Sequence, residues 1–239
     1  MTEPKLLLIC SFVLMCAGTG FGYIVIEKLA GQGSAQEFLT LGTLLVSSIL
    51  SIQILFFCMA SRRLLYLLVF TSISGLAMVW YMMCFATPIY WLPKVSGTAK
   101  LMVFAVSAFL IIGNGFEGLR EFKRQWQKNE PDVMKHFDKR LSVLDWHKVA
   151  KSLHLSASIY VPGVSKDIAV LLSLPLFLSM MFGFSFIKVY PVASVFAWGI
   201  PFIMMAACFT QFVTMGIAQV FKVIEIEKKL GVRISPKLG

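Results

Sequence analysis

Among the side-chain amides inside apolar stretches of the chain, three lie where a polar group is most able to do chemistry. They are Gln53, Asn114 and Gln211. In hydrocarbon, an amide either hydrogen-bonds to a neighbouring helix or lines a path for a polar solute. We interpret the amides as contacts that hold helices together, with the lined path as the alternative. The centres of these stretches carry no Asp, Glu, Lys or Arg, so a transporter coupled to protons or sodium through an acidic relay is disfavoured.

Residues of the kinds that catalyse reactions or bind metals are present, but their spacing does not suit those roles. His136, His147 and His154 include no pair four residues apart, which a zinc-binding helix would need. The five cysteines fall within apolar stretches and form no CxxC pair. The sequence also lacks a glycine-rich phosphate loop and a nucleophile elbow. We therefore predict no catalytic residues, no metal site and no cofactor, and we expect that the protein is not an enzyme.

Six long apolar stretches determine the predicted fold class. Of the 239 residues, 58% are hydrophobic and 14% are charged, whereas soluble domains average about a quarter charged. About 20 consecutive apolar residues in a helix span the core of a bilayer. The predicted spans are residues 6–26, 38–60, 64–85, 101–116, 168–187 and 192–221. We predict an all-α membrane protein, a bundle of six transmembrane helices with a helical cytoplasmic insert between helices 4 and 5.

Basic residues lie almost entirely on one side of the six spans. The net charge is +10, and of the 22 Lys and Arg residues only Lys28, Lys94, Lys100 and Lys188 fall on the other side. Lys and Arg concentrate in the cytoplasmic loops of membrane proteins. The pattern therefore predicts that both termini and the loop of residues 117–167 are cytoplasmic. The charge bias and the compact outer loops indicate an integral protein of the bacterial inner membrane.

The spans and loops divide the chain into four parts. These are a four-helix transmembrane part (1–116), a cytoplasmic amphipathic helical insert (117–167), a two-helix transmembrane part (168–221) and a cytoplasmic C-terminal tail (222–239). Within the insert, the fourth span is predicted to continue as a helix to residue 128 and to break at residues 129–132, because the residue before a proline avoids the α region. A second amphipathic helix is then predicted over residues 133–155.

In the insert, apolar residues recur at helical spacing and basic residues cover the other faces, as in an amphipathic helix that docks on a surface. Two interpretations stay open. Either the helices lie on the inner leaflet while Lys and Arg reach lipid phosphates, or they dock a membrane or cytoplasmic protein through their tryptophans. Nucleic acid is a disfavoured partner, because seven acidic residues offset ten basic ones in the insert. The residues predicted to dock a partner or lipid are Arg120, Lys123, Arg124, Trp126, Trp146, Lys148 and Lys151.

Small residues repeat at helical spacing in two of the spans. Gly18 and Gly22 form a GxxxG motif in the first span, and Ser179 and Gly183 form a similar motif in the fifth. Such motifs let helix backbones approach closely, either within one chain or between two chains. We therefore predict helix packing at these four residues, with a homo-oligomer as one way of using them.

These observations favour a protein that acts through its contacts. The lipid bilayer is one partner, and we expect other membrane or cytoplasmic proteins to be others. The leading hypothesis is a non-enzymatic, multi-pass inner-membrane subunit of a larger envelope assembly, such as a secretion or conjugation complex, which docks partners through its cytoplasmic insert. The alternative is a transporter or channel subunit, such as a permease coupled to a separate ATPase.

Overall fold

A computed structural model describes residues 4–135, 137–138 and 143–236 of the chain. Within those ranges, six helices are long and apolar enough to cross a membrane. The predicted bundle of membrane helices is confirmed at this level, and the chain is a multi-pass integral membrane protein. The elements in chain order are α1 (Pro4–Ala30), α2 (Gln32–Met59), α3 (Leu64–Ala86), α4 (Pro88–Trp91), α5 (Gly97–Lys135), β1 (Phe137–Asp138), β2 (Val143–Leu144), α6 (Trp146–Ser152), α7 (Lys166–Phe186), α8 (Pro191–Leu230) and β3 (Ser235–Pro236).

The first two helices are joined by a single residue, Gly31. The loop expected between residues 26 and 38 is therefore helical almost throughout. The φ angle of Gly31 is 93°, in a region of backbone conformation that side chains rarely tolerate. A glycine at this position thus allows α1 and α2 to pack against each other as an antiparallel pair.

The last helix, α8, lies at the centre of the bundle. It packs mainly against α3, α5 and α7, and α3 connects it to α1 and α2. The backbones of α3 and α8 approach closely, since a Cβ atom added to Gly75 would lie 2.9 Å from Cγ2 of Val213. The fully buried Trp198 donates a hydrogen bond from Nε1 to the carbonyl of Phe85 at 3.0 Å. Close packing and interhelical hydrogen bonds of this kind hold helices together in lipid.

The fourth span continues beyond the apolar stretch as predicted, but the predicted break at residues 129–132 is wrong. α5 runs without interruption through Pro131 to Lys135. Proline lacks a backbone N–H and so removes one hydrogen bond from the helix. Because Pro131 lies close to the end of α5 and is exposed, the helix tolerates that loss.

The second predicted amphipathic helix, over residues 133–155, is not continuous. Residues 136 and 139–142 of that range lie outside the described residues. Within the described residues of that range, the end of α5 and the seven-residue α6 are helical, and β1 and β2 form an antiparallel pair. Val143 and Leu144 pair instead with Ser235 and Pro236 of β3, in parallel. Tertiary pairing with the far end of the chain therefore overrides the helical pattern at Val143 and Leu144.

The tail predicted at residues 222–239 does not form a separate element where it is described. Residues up to Leu230 continue α8, which ends at Gly231 in the left-handed conformation. The chain then turns back, and Ile234, which is fully buried, accepts a hydrogen bond at its carbonyl from the backbone N–H of Leu64 at 3.0 Å. We call this end of the bundle the capped end; it also contains the start of α1 and the α2–α3 junction.

One ion pair joins three segments at the capped end. Arg63 donates from Nε and Nη2 to the two carboxylate oxygens of Glu227, at 3.3 and 2.5 Å. The same carboxylate accepts the backbone N–H of Ile234 at 2.9 Å. The hydrogen bond with Glu227 raises the pKa of the Arg63 guanidinium above its ordinary value. The pair therefore connects the start of α3, the end of α8 and the returning chain.

We predict that Glu227→Gln lowers the free energy of unfolding by about 2 kcal/mol, because a neutral amide replaces a buried carboxylate that accepts charge-assisted hydrogen bonds. Detergent titration in mixed micelles, followed by far-ultraviolet circular dichroism, measures this. Glu225→Gln is the control, since that carboxylate is on the same helix but its side chain is 65% exposed. Equal losses of stability in the two variants would contradict the assigned role of Glu227.

Candidate functional site

The extension of α5 beyond the apolar stretch separates positive from negative charge. Arg120 and Arg124 have side chains 76% and 61% exposed, and Lys123 is exposed between them. Glu117 and Glu121 have side chains only 11% and 8% exposed. Arg120 pairs with Glu117 at 3.4 Å, and Arg124 pairs with Glu121. Glu117 and Glu121 therefore lie toward the protein while the cations meet the surroundings; Glu130, further along α5, is exposed.

The short helix α6 adds two further cations to this surface. Lys148 has a side chain 61% exposed, and Lys151 is exposed as well. Asp145 caps the helix by accepting the backbone N–H of Lys148 at 3.3 Å. We call five exposed cations of α5 and α6 the basic surface: Arg120, Lys123, Arg124, Lys148 and Lys151.

The two tryptophans predicted to dock a partner are instead buried inside the chain. Trp126 is 4% exposed and Trp146 is 7% exposed. Both belong to one apolar cluster, the cap cluster, in which α5 and α6 pack against the ends of α3 and α8; it includes Leu64, Leu67, Phe122, Leu144, Val149, Leu153, Val223, Ile226 and Ile234. Nζ of Lys222 lies 5.4 Å from the centre of the Trp126 ring, a cation–π contact. The indoles thus position the basic surface rather than form part of it.

Two of the intramembrane amides bind each other and a segment of extended backbone. Gln211 donates from Nε2 to Oδ1 of Asn114 at 2.6 Å and to the carbonyl of Ser158 at 2.7 Å, and its Oε1 accepts the N–H of Ser158 at 3.2 Å. Asn114 donates from Nδ2 to the carbonyls of Tyr160 and Leu110, both at 2.8 Å. We call residues 155–163 the strap. Its backbone pairs with side chains of α5 and α8, because non-helical backbone at membrane depth needs partners within the protein.

The third amide, Gln53, lies on α2 and connects that helix to α1 and α3. It is fully buried and donates from Nε2 to Oγ of Ser11 at 2.9 Å and to Oγ of Ser74 at 2.7 Å. Within the part of the chain that the structure describes, its Oε1 has no hydrogen-bond partner. Gln53 is not in contact with the Asn114–Gln211 pair, so the structure places the three predicted amides in two separate clusters.

The structure places the four small residues in helix contacts within the chain. A Cβ atom added to Gly18 would lie 3.0 Å from Cα of Tyr81, and one added to Gly22 would lie 2.6 Å from Cζ of the Phe38 ring. Ser179 donates from Oγ to the carbonyl of Ala197 at 3.0 Å. Gly183 lies against the same part of α8, where an added Cβ would meet the Ser194 carbonyl at 2.9 Å. All four residues therefore take part in helix packing within one chain.

Sequence reasoning missed both the strap and the Arg63–Glu227 pair. Residues 155–161 mix two serines with apolar side chains, and nothing in that pattern predicts backbone held between α5 and α8. The glycine at position 113, inside an apolar span, was the one sign in the sequence of a close approach. A Cβ atom there would lie 2.7 Å from Cγ of Pro162, so a side chain would displace the strap. Arg63 and Glu227 are 164 residues apart, and no local pattern connects them.

We call the end of α5, the helix α6 and the strands β1, β2 and β3 the cap. Together these features define a multi-pass helical membrane protein with a folded cap at one end and a basic surface on that cap. Among the described residues, His, Cys, Asp and Glu do not gather in groups of three that could hold a metal ion. Comparison with protein-family models gives no match for this chain, and comparisons with curated proteins and with solved structures give none either. What the chain does is therefore inferred from its own geometry.

We predict that Gln211→Leu releases the strap. Two of the three hydrogen bonds of Gln211 are to Ser158 of the strap. At about 0.6 kcal/mol each in a membrane protein, their loss should raise amide hydrogen exchange over residues 155–163 roughly tenfold. Mass spectrometry of peptides from protein in micelles measures this exchange. Gln219→Leu is the control, because Gln219 is half-buried on the same helix and makes no bond to the strap. Unchanged exchange in Gln211→Leu would mean that other contacts hold the strap.

Proposed function

We propose that the protein is a non-enzymatic membrane subunit of a larger envelope assembly, in which the basic surface docks an acidic protein partner. The proposal places the chain in a bacterial inner membrane, with both termini and the cap on the cytoplasmic side, as the distribution of Lys and Arg indicates. The observation that carries it is the separation of charge on the cap, where Glu117 and Glu121 lie inward and the cations lie outward.

The cap cluster favours protein docking over a helix that lies flat on lipid. An interfacial helix binds a membrane by burying its apolar face among the lipids. Here Phe122, Trp126, Trp146 and Val149 are buried against the protein's own helices. These four apolar side chains are thus already covered within the chain, and exposed charged side chains are what α6 and the end of α5 offer to a partner.

A fixed basic surface suits recognition of an acidic one. Complementary charges speed association and select among partners, although each exposed charge contributes only modestly to affinity. Because these cations are exposed, salt should weaken the interaction. A surface held by a folded cap also presents its charges in one arrangement, so little conformational entropy is lost on binding.

The alternative, a transporter or channel subunit, has less support from the geometry. Asn114 and Gln211 use their polar atoms on each other and on the strap. Gln53 lies apart from them, between α1, α2 and α3. Polar groups that lined a path would have to leave these partners, whereas groups that hold helices together would keep them.

The proposal predicts that removing charge from the basic surface releases the partner. In the triple variant Lys123→Gln, Lys148→Gln and Lys151→Gln, recovery of a stoichiometric partner should fall roughly tenfold, because each exposed charge contributes about 0.5 kcal/mol. Mild-detergent purification from the native membrane, with mass spectrometry of the co-purified chains, measures recovery. In the wild type, raising the salt concentration should have the same effect.

A matched control removes the same charge elsewhere. Lys28→Gln, Lys94→Gln and Lys188→Gln change three exposed lysines outside the cap and should leave recovery unchanged. A reporter fused to the C-terminus verifies that neither triple variant alters orientation, since the basic residues also direct topology. Full retention of every partner by the cap variant would contradict the proposal. Recovery of the wild type alone, with solute flux in liposomes, would favour the transporter.

A further inference from the structure

An apolar cleft lies between α5 and the strap, on the outside of the bundle near the capped end. Its volume is about 320 Å³. Phe109, Ile112 and Phe116 form one wall and are 58%, 58% and 67% exposed. Tyr160 and Pro162 of the strap form the other wall. The strap is held there by Asn114, so the cleft is built by contacts already fixed within the chain.

The cleft has the length of one half of a bilayer. From Phe109 to Arg120 is eleven residues of helix, which corresponds to about 16 Å at ~1.5 Å per residue. The hydrocarbon core of a bilayer is about 30 Å thick, so one leaflet contributes roughly 15 Å. A single acyl chain of the leaflet at the capped end would therefore run along the cleft for its whole depth.

A cation stands at the polar end of the cleft. Arg120 lies one helical turn beyond Phe116, at the boundary where the apolar stretch of α5 ends, and its side chain is 76% exposed. Glu117 lies behind the guanidinium at 3.4 Å, with its own side chain 11% exposed, and so orients Arg120 without covering it. Lys123 is exposed one turn further along α5. Arginine pairs with phosphate through two parallel hydrogen bonds, and a second nearby cation favours an anionic headgroup.

We propose that this cleft binds one anionic glycerophospholipid from the leaflet at the capped end, with an acyl chain along α5 and its headgroup phosphate on Arg120. The phenol ring of Tyr160 lines the same cleft, and aromatic rings of this kind favour the depth of the headgroups. This lipid site goes beyond the proposed docking of a protein partner. It does not depend on that docking, because every residue that lines the cleft belongs to this chain.

Native mass spectrometry of the full chain tests the proposal. The protein is released from nanodiscs that contain equal amounts of phosphatidylglycerol and phosphatidylcholine. We expect one retained phosphatidylglycerol per chain. Arg120→Gln should reduce the retained fraction roughly tenfold, because a charge-assisted pair with phosphate is lost. Arg62→Gln is the matched control, an exposed arginine that does not line the cleft, and it should retain the lipid like the wild type.

A second variant tests the apolar half of the site without changing charge. Ile112→Trp fills the cleft and should also reduce retained phosphatidylglycerol, whereas Ile54→Trp, at a residue of α2 that is 50% exposed, should not. Equal retention of the two lipids by the wild type would overturn the proposal. So would loss of the adduct on adding inorganic phosphate, which would show a free-anion site. Normal retention by both Arg120→Gln and Ile112→Trp would likewise overturn it.

Discussion

Burial of two indoles at the capped end determines which residues of the cap meet their surroundings. Trp126 of α5 and Trp146 of α6 belong to the same apolar cluster as the start of α3 and the end of α8. On α5, Glu121 is buried together with Phe122 and Trp126, whereas Lys123 and Arg124 are exposed. The same packing fixes α6, whose exposed lysines extend the basic surface. Loss of the cluster would therefore remove the surface as an ordered unit, although every cation would still be present.

A second constraint operates within the apolar part of the bundle, where polar groups must find partners inside the protein. Asn114 and Gln211 meet this requirement by pairing with each other and with the backbone of Ser158 and Tyr160. The pairing holds the strap against α5 and α8, and the strap in turn forms one wall of the apolar cleft. The two constraints connect through α5, which carries Asn114, the cleft and the basic surface along one continuous helix.

The membrane spans could be predicted from the sequence because their signal is local and strong. Twenty or so apolar residues specify a membrane helix whatever surrounds them. The cap could not be predicted in the same way. Leu144, Trp146, Val149 and Leu153 suit an amphipathic helix, yet Leu144 pairs with Pro236 in a strand, and that choice depends on a segment about ninety residues away. Pro131 indicated a break, but a proline near an exposed helix end costs too little to impose one.

In the candidate site, too, some features could be predicted from the local sequence and others depend on tertiary contacts. The cations of the basic surface follow from composition and helical period, so they were identified from the sequence. The role of the tryptophans was not, because an apolar stripe on a helix looks alike whether it is covered by a partner, by lipid or by the chain itself. Likewise, the amides were found as intramembrane polar groups, but only the fold reveals that two of them pair with each other and that the third is separate.

The cap is folded with Trp126, Trp146 and Val149 buried and its cations exposed, and we propose that it faces the cytoplasm. Neighbouring residues of α6 test it most directly, since Lys148 is exposed and Val149 is fully buried. Cysteine introduced at each position is treated with a membrane-impermeant maleimide in inverted and in right-side-out vesicles. We expect rapid labelling of Lys148→Cys in inverted vesicles only, and slow labelling of Val149→Cys in both kinds of vesicle. Equal labelling of the two positions, or labelling of Lys148→Cys in right-side-out vesicles, would contradict it.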